Sequence, residues 1–401
     1  MNNRGFEAVW TDPLESHEGC PAAVALTNLI RCTDRLNAVR LADTALTDGS
    51  CLSHARCVWR GVTVLICAGE LVSADGHLRR LENLRDDTFA DVLSLLRAQH
   101  AKHVGDVAGT KELLKRVLST SSSRSAREFA APLLVEAHVT AGDLGAAETV
   151  ADEYDFAELA ATRPAVGPLL LAIRGSLHLA AGRPSMALAD LLGCLRGPIA
   201  EVAAHSAVVR RRGMAALAAV ADGRFELAAA LAAEEEEAAR GWGGLAYAGW
   251  AQYVRAMVAE PEVPSRLLTD AIDLLDFALS PAGLAATSYE QGVRLMTSGQ
   301  DAAAREQLER AARMAGRIGN TKLADLADGM LRDLTQAERQ ASLTGQEGKI
   351  AELARAGYSN KQIAERLVLT VRTIEFHLSN VYRKLGISGR RALMAKPSKA
   401  P

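Results

Sequence analysis

A glycine-centred turn recurs at a nearly regular interval along most of this 401-residue chain. The turns contain Gly69, Gly105, Gly142, Gly182, Gly223 and Gly299. The first five lie 36 to 41 residues apart, and the last follows after about two such intervals. A repeat of this length holds one helical hairpin, in which glycine ends the first helix in a left-handed conformation. The repeat therefore predicts a helical array, with a degenerate turn near 260–264 in the longer interval.

The segments between the turns have helical rather than strand periodicity. Leu170, Ile173 and Leu177 fall at i, i+3 and i+7, on one face of a helix. Few stretches alternate with a period of two, and the apolar run 62–67 is interpreted as a buried helix. We therefore predict an all-α fold whose first part resembles a tetratricopeptide-like array, with a period longer than usual.

Such an array has several alternative uses. Its concave surface usually binds a peptide or protein, but it can also be only a scaffold or a dimerisation body. Enclosing a small-molecule pocket is a third alternative. The acidic run 234–237 is interpreted as a solvated helix face, with docking of a basic partner as its alternative.

Composition and missing motifs exclude several classes of function. The sequence contains no run of about 18 apolar residues, so no membrane span is predicted. The first 15 residues lack a signal-peptide pattern, and we therefore expect a cytoplasmic protein. The six cysteines form no Cys-x-x-Cys pair and are interpreted as reduced, mostly buried thiols rather than metal ligands. No phosphate-binding loop, dinucleotide fingerprint or catalytic set is present. We therefore expect neither an enzyme nor a cofactor.

Positive charge is concentrated near the C-terminal end. Residues 342–396 contain ten basic and four acidic groups, a net charge of +6, whereas the whole chain carries −2. The remainder is therefore acidic, at −8. A basic module on an acidic body is typical of a nucleic-acid-binding protein.

Three helices are predicted within this basic region. Thr344 and Glu347 form a capping box before the first helix, which Gly357 ends. Ser359 caps the second helix and Thr370 the third. Gly386 ends the third helix. Two short helices, a turn and a longer helix fit a helix-turn-helix unit whose last helix enters the major groove of DNA.

The third helix has one apolar and one polar face. Its apolar residues, expected to be buried, are Val371, Ile374, Leu378, Val381 and Leu385. The opposite face is polar apart from Phe376.

Residues 343–393 closely resemble the DNA-binding domain of LuxR-type regulators. The resemblance rests on the segments 359–364, 373–377 and 380–385, which read SNKQIA, TIEFH and NVYRKL. Together with the alanine-rich array, it is most similar to the C-terminal part of the large ATP-binding LuxR regulators, without their NTPase domain. It implies a bacterial transcription regulator, and we expect an activator.

Position and chemistry assign two sets of DNA contacts. Residues expected to reach base edges are Arg372, Glu375, Phe376 and Ser379. Residues expected to contact phosphates are Asn360, Lys361, Thr370, Thr373, His377, Asn380, Arg383 and Lys384. Alternatively, Phe376 packs on the body, Glu375 pairs with Arg372 or repels phosphate, and His377 is a structural hydrogen-bonding group.

These expectations give three segments. They are a helical-repeat domain at 1–334, a linker at 335–342 and a four-helix LuxR-type domain at 343–396. The expected partners are double-stranded promoter DNA, RNA polymerase or another protein, and a second copy of the chain, with no membrane. The fourth helix, 390–396, is shorter than in the LuxR family, where it mediates dimerisation. The alternative function is therefore a protein-interaction adaptor with a vestigial helix-turn-helix.

Overall fold

The structure is a computed structural model that describes residues 20–83, 89–163, 166–196, 210–259, 265–341 and 343–395. The expected turn at 260–264 and Lys396 lie outside these residues. The chain divides into two compact units, Met1–Asp328 and Gly329–Pro401. The described residues contain helices and no strand, which confirms the predicted all-α class.

The first unit is a succession of helices joined by short turns. Its helices are α1 (Pro21–Arg31), α2 (Arg35–Ala45), α3 (Gly49–Leu52), α4 (Ala55–Ala68), α5 (Leu71–Asn83), α6 (Ala90–His103), α7 (Val107–Thr120), α8 (Arg124–Thr140), α9 (Leu144–Glu153), α10 (Phe156–Thr162), α11 (Gly167–Ala180), α12 (Pro184–Arg196), α13 (Arg211–Ala221), α14 (Phe225–Trp242), α15 (Leu245–Val258), α16 (Ser265–Phe277), α17 (Pro281–Thr297) and α18 (Asp301–Arg317). The next helix, α19 (Thr321–Ala341), begins in this unit. Its backbone is helical through most of the segment predicted as a linker.

All six glycines of the recurring turn have the predicted left-handed conformation, with φ between 72° and 89°. The residue after each glycine donates its backbone N–H to the carbonyl five positions earlier, at 2.8–3.0 Å. This 6→1 bond is the mark of a Schellman motif. Each glycine therefore ends one helix and begins the turn to the next helix, as the repeat predicted.

Other glycines lie inside helices, where a leucine of the neighbouring helix or its cap packs against them. The pairs are Gly61 with Leu46, Gly175 with Leu191, Gly249 with Leu275 and Gly292 with Leu308. A Cβ atom added at any of these glycines would lie 2.7–2.8 Å from the Cγ of its leucine. Alanine fills much of the remaining core. These helix pairs therefore approach closely because one helix of each pair has a glycine, which lacks a side chain, at the point of contact.

The acidic run on α14 is not wholly solvated, so that interpretation is wrong for one of its residues. Glu235 is fully buried, and its carboxylate accepts a hydrogen bond from the Gly213 backbone N–H at 3.0 Å. It lies on the helix face of Leu231, Ala232 and Ala239, so the helical period carries it inward. Burial raises the pKa of Glu235 to about 7.

Two further expectations concern the whole chain. All six cysteines are described, none of them forms a disulfide, and all but Cys67 are buried, which agrees with their interpretation as mostly buried. Among the described residues, no helix combines the length and the hydropathy that a membrane span requires.

Candidate nucleic-acid interface

After the end of α19, the described residues 343–395 of the second unit form four helices around a small apolar core. They are α20 (Gly345–Arg355), α21 (Asn360–Leu367), α22 (Val371–Leu385) and α23 (Arg390–Ala395). The fully buried core residues include Ile350, Ala354, Ile363, Ile374, Val381 and Leu393. Every one of the four helices contributes to this core, so it fixes the face that α22 turns outward.

Side-chain caps set where each of the first three helices begins. The Thr344 hydroxyl accepts from the Glu347 N–H at 3.2 Å, and the Thr344 N–H donates to the Glu347 carboxylate at 2.8 Å. Ser359 caps α21, and the Thr370 hydroxyl accepts from the Thr373 N–H at 3.1 Å. These caps confirm the three predicted helix starts.

The buried stripe of α22 is shorter than predicted. Ile374, Leu378 and Val381 are buried, but Val371 is 41% exposed and Leu385 is half-buried. The prediction that Val371 is buried is therefore wrong. Helical periodicity predicts the direction in which a side chain points. It does not predict how far the neighbouring helices extend along α22, and this extent decides whether a residue near its end is covered.

The four residues predicted to read bases share one exposed face of α22. Arg372, Glu375, Phe376 and Ser379 follow one another at i, i+3, i+4 and i+7, and all are exposed. Phe376 is 65% exposed. No ion pair joins Arg372 to Glu375 within the described residues 343–395. The four side chains are therefore accessible from one direction, and their base contacts remain a prediction.

The residues predicted to contact phosphates differ in exposure. Lys361, Thr370 and Arg383 are exposed, whereas Asn360, Thr373, His377, Asn380 and Lys384 are half-buried. The Thr370 and Thr373 hydroxyls lie 2.7 Å apart. The Asn380 side-chain carbonyl accepts from Arg383 at 3.3 Å. Most of these groups flank the exposed face of α22 or begin α21.

Lys384 lies in a different environment from the other predicted phosphate ligands. Its ammonium donates to the Glu347 carboxylate at 2.8 Å, and the two side chains are only 17% and 6% exposed. Hydrogen bonding from Lys384 lowers the pKa of Glu347. This ion pair connects the N-terminus of α20 to the C-terminus of α22. It argues against a phosphate role for Lys384, although that role stays a prediction.

Arg390 was not singled out from the sequence. Its guanidinium donates to the Asn360 side-chain carbonyl at 2.7 Å and to the Tyr358 backbone carbonyl. It thereby fastens α23 to the N-terminus of α21 and orients Asn360. Nothing in the sequence connects residues 30 apart, so only the fold could reveal this positioning role.

Val368 is a second residue that the sequence did not indicate. It ends α21 in the left-handed conformation, with φ of 55°, and is 91% exposed. A β-branched residue in this conformation is strained. The turn before α22 therefore carries strain together with an exposed apolar side chain beside the polar face.

We expect Val368→Asn to stabilise the second unit by about 1 kcal/mol, because asparagine tolerates the left-handed conformation. Hydrogen exchange of the amides in 371–385 of the full chain measures this effect. Val371→Asn is the matched control, since Val371 is exposed but right-handed. Equal changes in both variants would show that backbone strain is not the cause.

Comparison with known proteins agrees with this geometry. Residues 341–396 match the model of "Bacterial regulatory proteins, luxR family". A 53-residue segment is 45% identical to "Putative HTH-type transcriptional regulator Mb0914c" of Mycobacterium bovis. The aligned segment makes up 13% of this chain and 6% of the length of that relative. The chain therefore carries a LuxR-family helix-turn-helix domain at its C-terminal end.

Proposed function

We propose that the protein is a non-enzymatic, sequence-specific DNA-binding transcription regulator of the bacterial cytoplasm. The observation that carries this proposal is the exposed face of α22, where Arg372, Glu375, Phe376 and Ser379 lie together on a helix whose other face is buried. In a helix-turn-helix domain this helix enters the major groove. The matched family gives the same class of function for the C-terminal domain.

The exposed side chains have the chemistry needed to discriminate bases. Arg372 can donate two hydrogen bonds to guanine, and Glu375 can accept one from cytosine. Phe376 can contact a thymine methyl group, whereas Ser379 tolerates several bases. The surrounding phosphate set orients the domain without selecting a sequence.

Replacing Lys361 tests the phosphate set. We expect Lys361→Ala to weaken binding to all duplexes alike and to reduce the slope of log affinity against log salt by about one. Titration of a labelled duplex at several salt concentrations measures both effects. Lys349→Ala, which removes a basic group outside the phosphate set, should leave the slope unchanged. An unchanged slope for Lys361→Ala would remove Lys361 from the set.

Replacing Glu375 tests the base set. We expect Glu375→Ala to relax preference at one position of the selected site, with a change of about 1–3 kcal/mol in discrimination there. Selection from a random duplex library compares the variant with the natural chain. Glu365→Ala removes another exposed acid, on α21, and should not alter the selected site. An identical site for Glu375→Ala would show that this carboxylate does not read a base.

We propose that the first unit binds a protein partner or supports oligomerisation. We also propose that the regulator is an activator, which acts through RNA polymerase or another protein. The order of the two units, an alanine-rich array followed by a LuxR-type domain, supports a kinship with the large ATP-binding LuxR regulators. A homodimer would read an inverted repeat with half-sites about one helical turn apart. Leu393 of α23 is buried in the core of its own domain. We therefore propose that dimerisation takes place through the first unit.

The array also contains a cavity, which favours a second candidate role for this unit. The cavity has a volume of about 470 Å³ and is lined by residues of α9, α10 and α11, among them Phe156, Leu177 and His178. Both acidic and basic groups face it, so a zwitterionic or hydrogen-bonding small molecule would fit. A thermal shift with such metabolites, compared with peptides, separates effector binding from protein binding.

Selection of the full-length protein against random duplex DNA is the decisive experiment. An enriched inverted repeat supports a dimeric regulator, and a single half-site supports a monomer that needs a partner. No enrichment would favour the alternative, a protein-interaction adaptor with a vestigial helix-turn-helix. A reporter gene placed behind the selected site would then distinguish an activator from a repressor.

A further inference from the structure

Three cysteines of the first unit meet at one buried point, remote in sequence from the DNA-binding domain. Cys20 precedes α1, Cys51 lies on α3 and Cys57 on α4, and each is at most 4% exposed. Their three sulfur atoms all lie within 4.8 Å of one another. The Cys20 and Cys57 sulfurs are 3.5 Å apart.

This spacing fits a shared metal ion. A tetrahedral zinc ion with Zn–S bonds of about 2.3 Å holds its sulfurs about 3.8 Å apart, and a trigonal ion needs a similar distance. Shifts of no more than about 1 Å would therefore bring these sulfurs, which lie within 4.8 Å of one another, into a coordination sphere. A disulfide needs a sulfur–sulfur distance of about 2.05 Å and would leave the third thiol unused.

The backbone near two of the three sulfurs favours negative charge. Cys20 occupies the N-cap position of α1, and Cys57 occupies the third position of α4. The N-terminus of a helix carries a partial positive charge that stabilises a nearby thiolate. The N-termini of α1 and α4 therefore lie beside the sulfur cluster.

We propose that Cys20, Cys51 and Cys57 bind one thiophilic d¹⁰ metal ion, either Zn(II) or Cu(I). Soft thiolate ligands select these ions over magnesium or calcium. On binding, each thiol releases its proton to solvent as its sulfur–metal bond forms, so three protons leave for each ion bound. The ion would join α1, α3 and α4 and thereby stabilise the N-terminal end of the array.

Because each thiol must lose its proton before its sulfur can bind the ion, the affinity for the metal should increase with pH.

The test uses the full-length chain, reduced and freed of metal, with Zn(II) and Cu(I) added in separate anaerobic titrations. We expect one equivalent of one ion to bind and to raise the melting temperature. Cys51→Ala and Cys57→Ala should each lose this binding and this shift, because alanine preserves the apolar packing but removes a ligand. Cys194→Ala, which removes a buried thiol elsewhere, should retain both. The ion that binds decides between the two chemistries.

X-ray absorption of the loaded natural chain gives a readout that needs no variant. We expect three sulfur neighbours at about 2.3 Å for zinc. Failure of both ions to bind, binding retained in the Cys51 and Cys57 variants, or fewer than three sulfur neighbours would overturn the proposal. A Cys20–Cys57 disulfide found by mass spectrometry in the chain as isolated would overturn it as well.

Discussion

Replacing Glu347 by alanine is expected to unfold the DNA-binding domain within an otherwise intact chain. The change removes the carboxylate that pairs with the Lys384 ammonium, which is 17% exposed, and breaking such a pair costs about 3 kcal/mol. It also removes the reciprocal cap on the Thr344 N–H, for about 1 kcal/mol more. A domain of this size is stabilised by only about 3–5 kcal/mol. The destabilisation is therefore comparable with the whole free energy of unfolding of the domain.

Hydrogen exchange of the full chain, read on peptides from 343–395, measures this loss locally. Glu352→Ala, which removes an exposed carboxylate from the same helix, is the control and should leave exchange nearly unchanged. The double variant Glu347→Leu with Lys384→Met should recover much of the protection, since it replaces both charges of the pair by apolar side chains. Natural protection in Glu347→Ala would contradict the structural role of the ion pair.

The same ion pair predicts sensitivity of the domain to acid. Lys384 holds the pKa of Glu347 below its ordinary value of 4.5. A carboxyl whose folded pKa is lowered contributes stability at neutral pH, and this contribution is lost as the pH falls below 4.5 and through the folded pKa. Glu347→Leu with Lys384→Met should therefore tolerate acid better than the natural chain.

The first unit is expected to respond to pH in the opposite sense, because its buried carboxyl, Glu235, ionises only with difficulty. The pKa of Glu235 is about 7 in the folded chain, against an ordinary value of 4.5. The folded state therefore binds the proton more tightly, and stability falls as the pH rises from 4.5 to 7. A shift of this size corresponds to a loss on the order of 3 kcal/mol.

Glu235→Gln should abolish most of this fall, since the amide can accept from the Gly213 N–H but cannot ionise. Urea unfolding of the first unit, followed between pH 5 and pH 8, measures the difference between the variant and the natural chain. Glu237→Gln, an exposed neighbour on the same helix, should retain the natural pH dependence. Parallel curves for Glu235→Gln and the natural chain would show that Glu235 is not the group responsible.

The sequence was sufficient wherever a local signal determines local structure. The six turn glycines, the capping box of Thr344 and Glu347, and the caps Ser359 and Thr370 were all predicted, because each acts within a few residues of itself. The outward face of α22 followed from helical periodicity alone. These signals recovered the all-α class and placed the candidate site.

The contacts that the sequence missed join residues distant along the chain. The ion pair of Glu347 with Lys384, the clasp of Arg390 on Asn360 and the meeting of the three cysteines depend on how helices pack. The exposure of Val371 depends on where neighbouring helices stop. Glu235 was different, since the apolar residues three and four positions away already indicated its burial, but the run of four acids suggested a solvated face.

The glycines against which leucines of neighbouring helices pack restrict which substitutions the array can tolerate. Every amino-acid replacement of a glycine adds atoms, and Gly175 and Gly292 have a leucine Cγ where the first of those atoms would go. Overpacking of this kind costs about 1–3 kcal/mol. Most cores are damaged chiefly by substitutions that remove atoms. At these contacts the glycine has no side chain to remove, and the leucine leaves no space for a larger residue. The spacing between the helices is therefore maintained because larger side chains are not tolerated there.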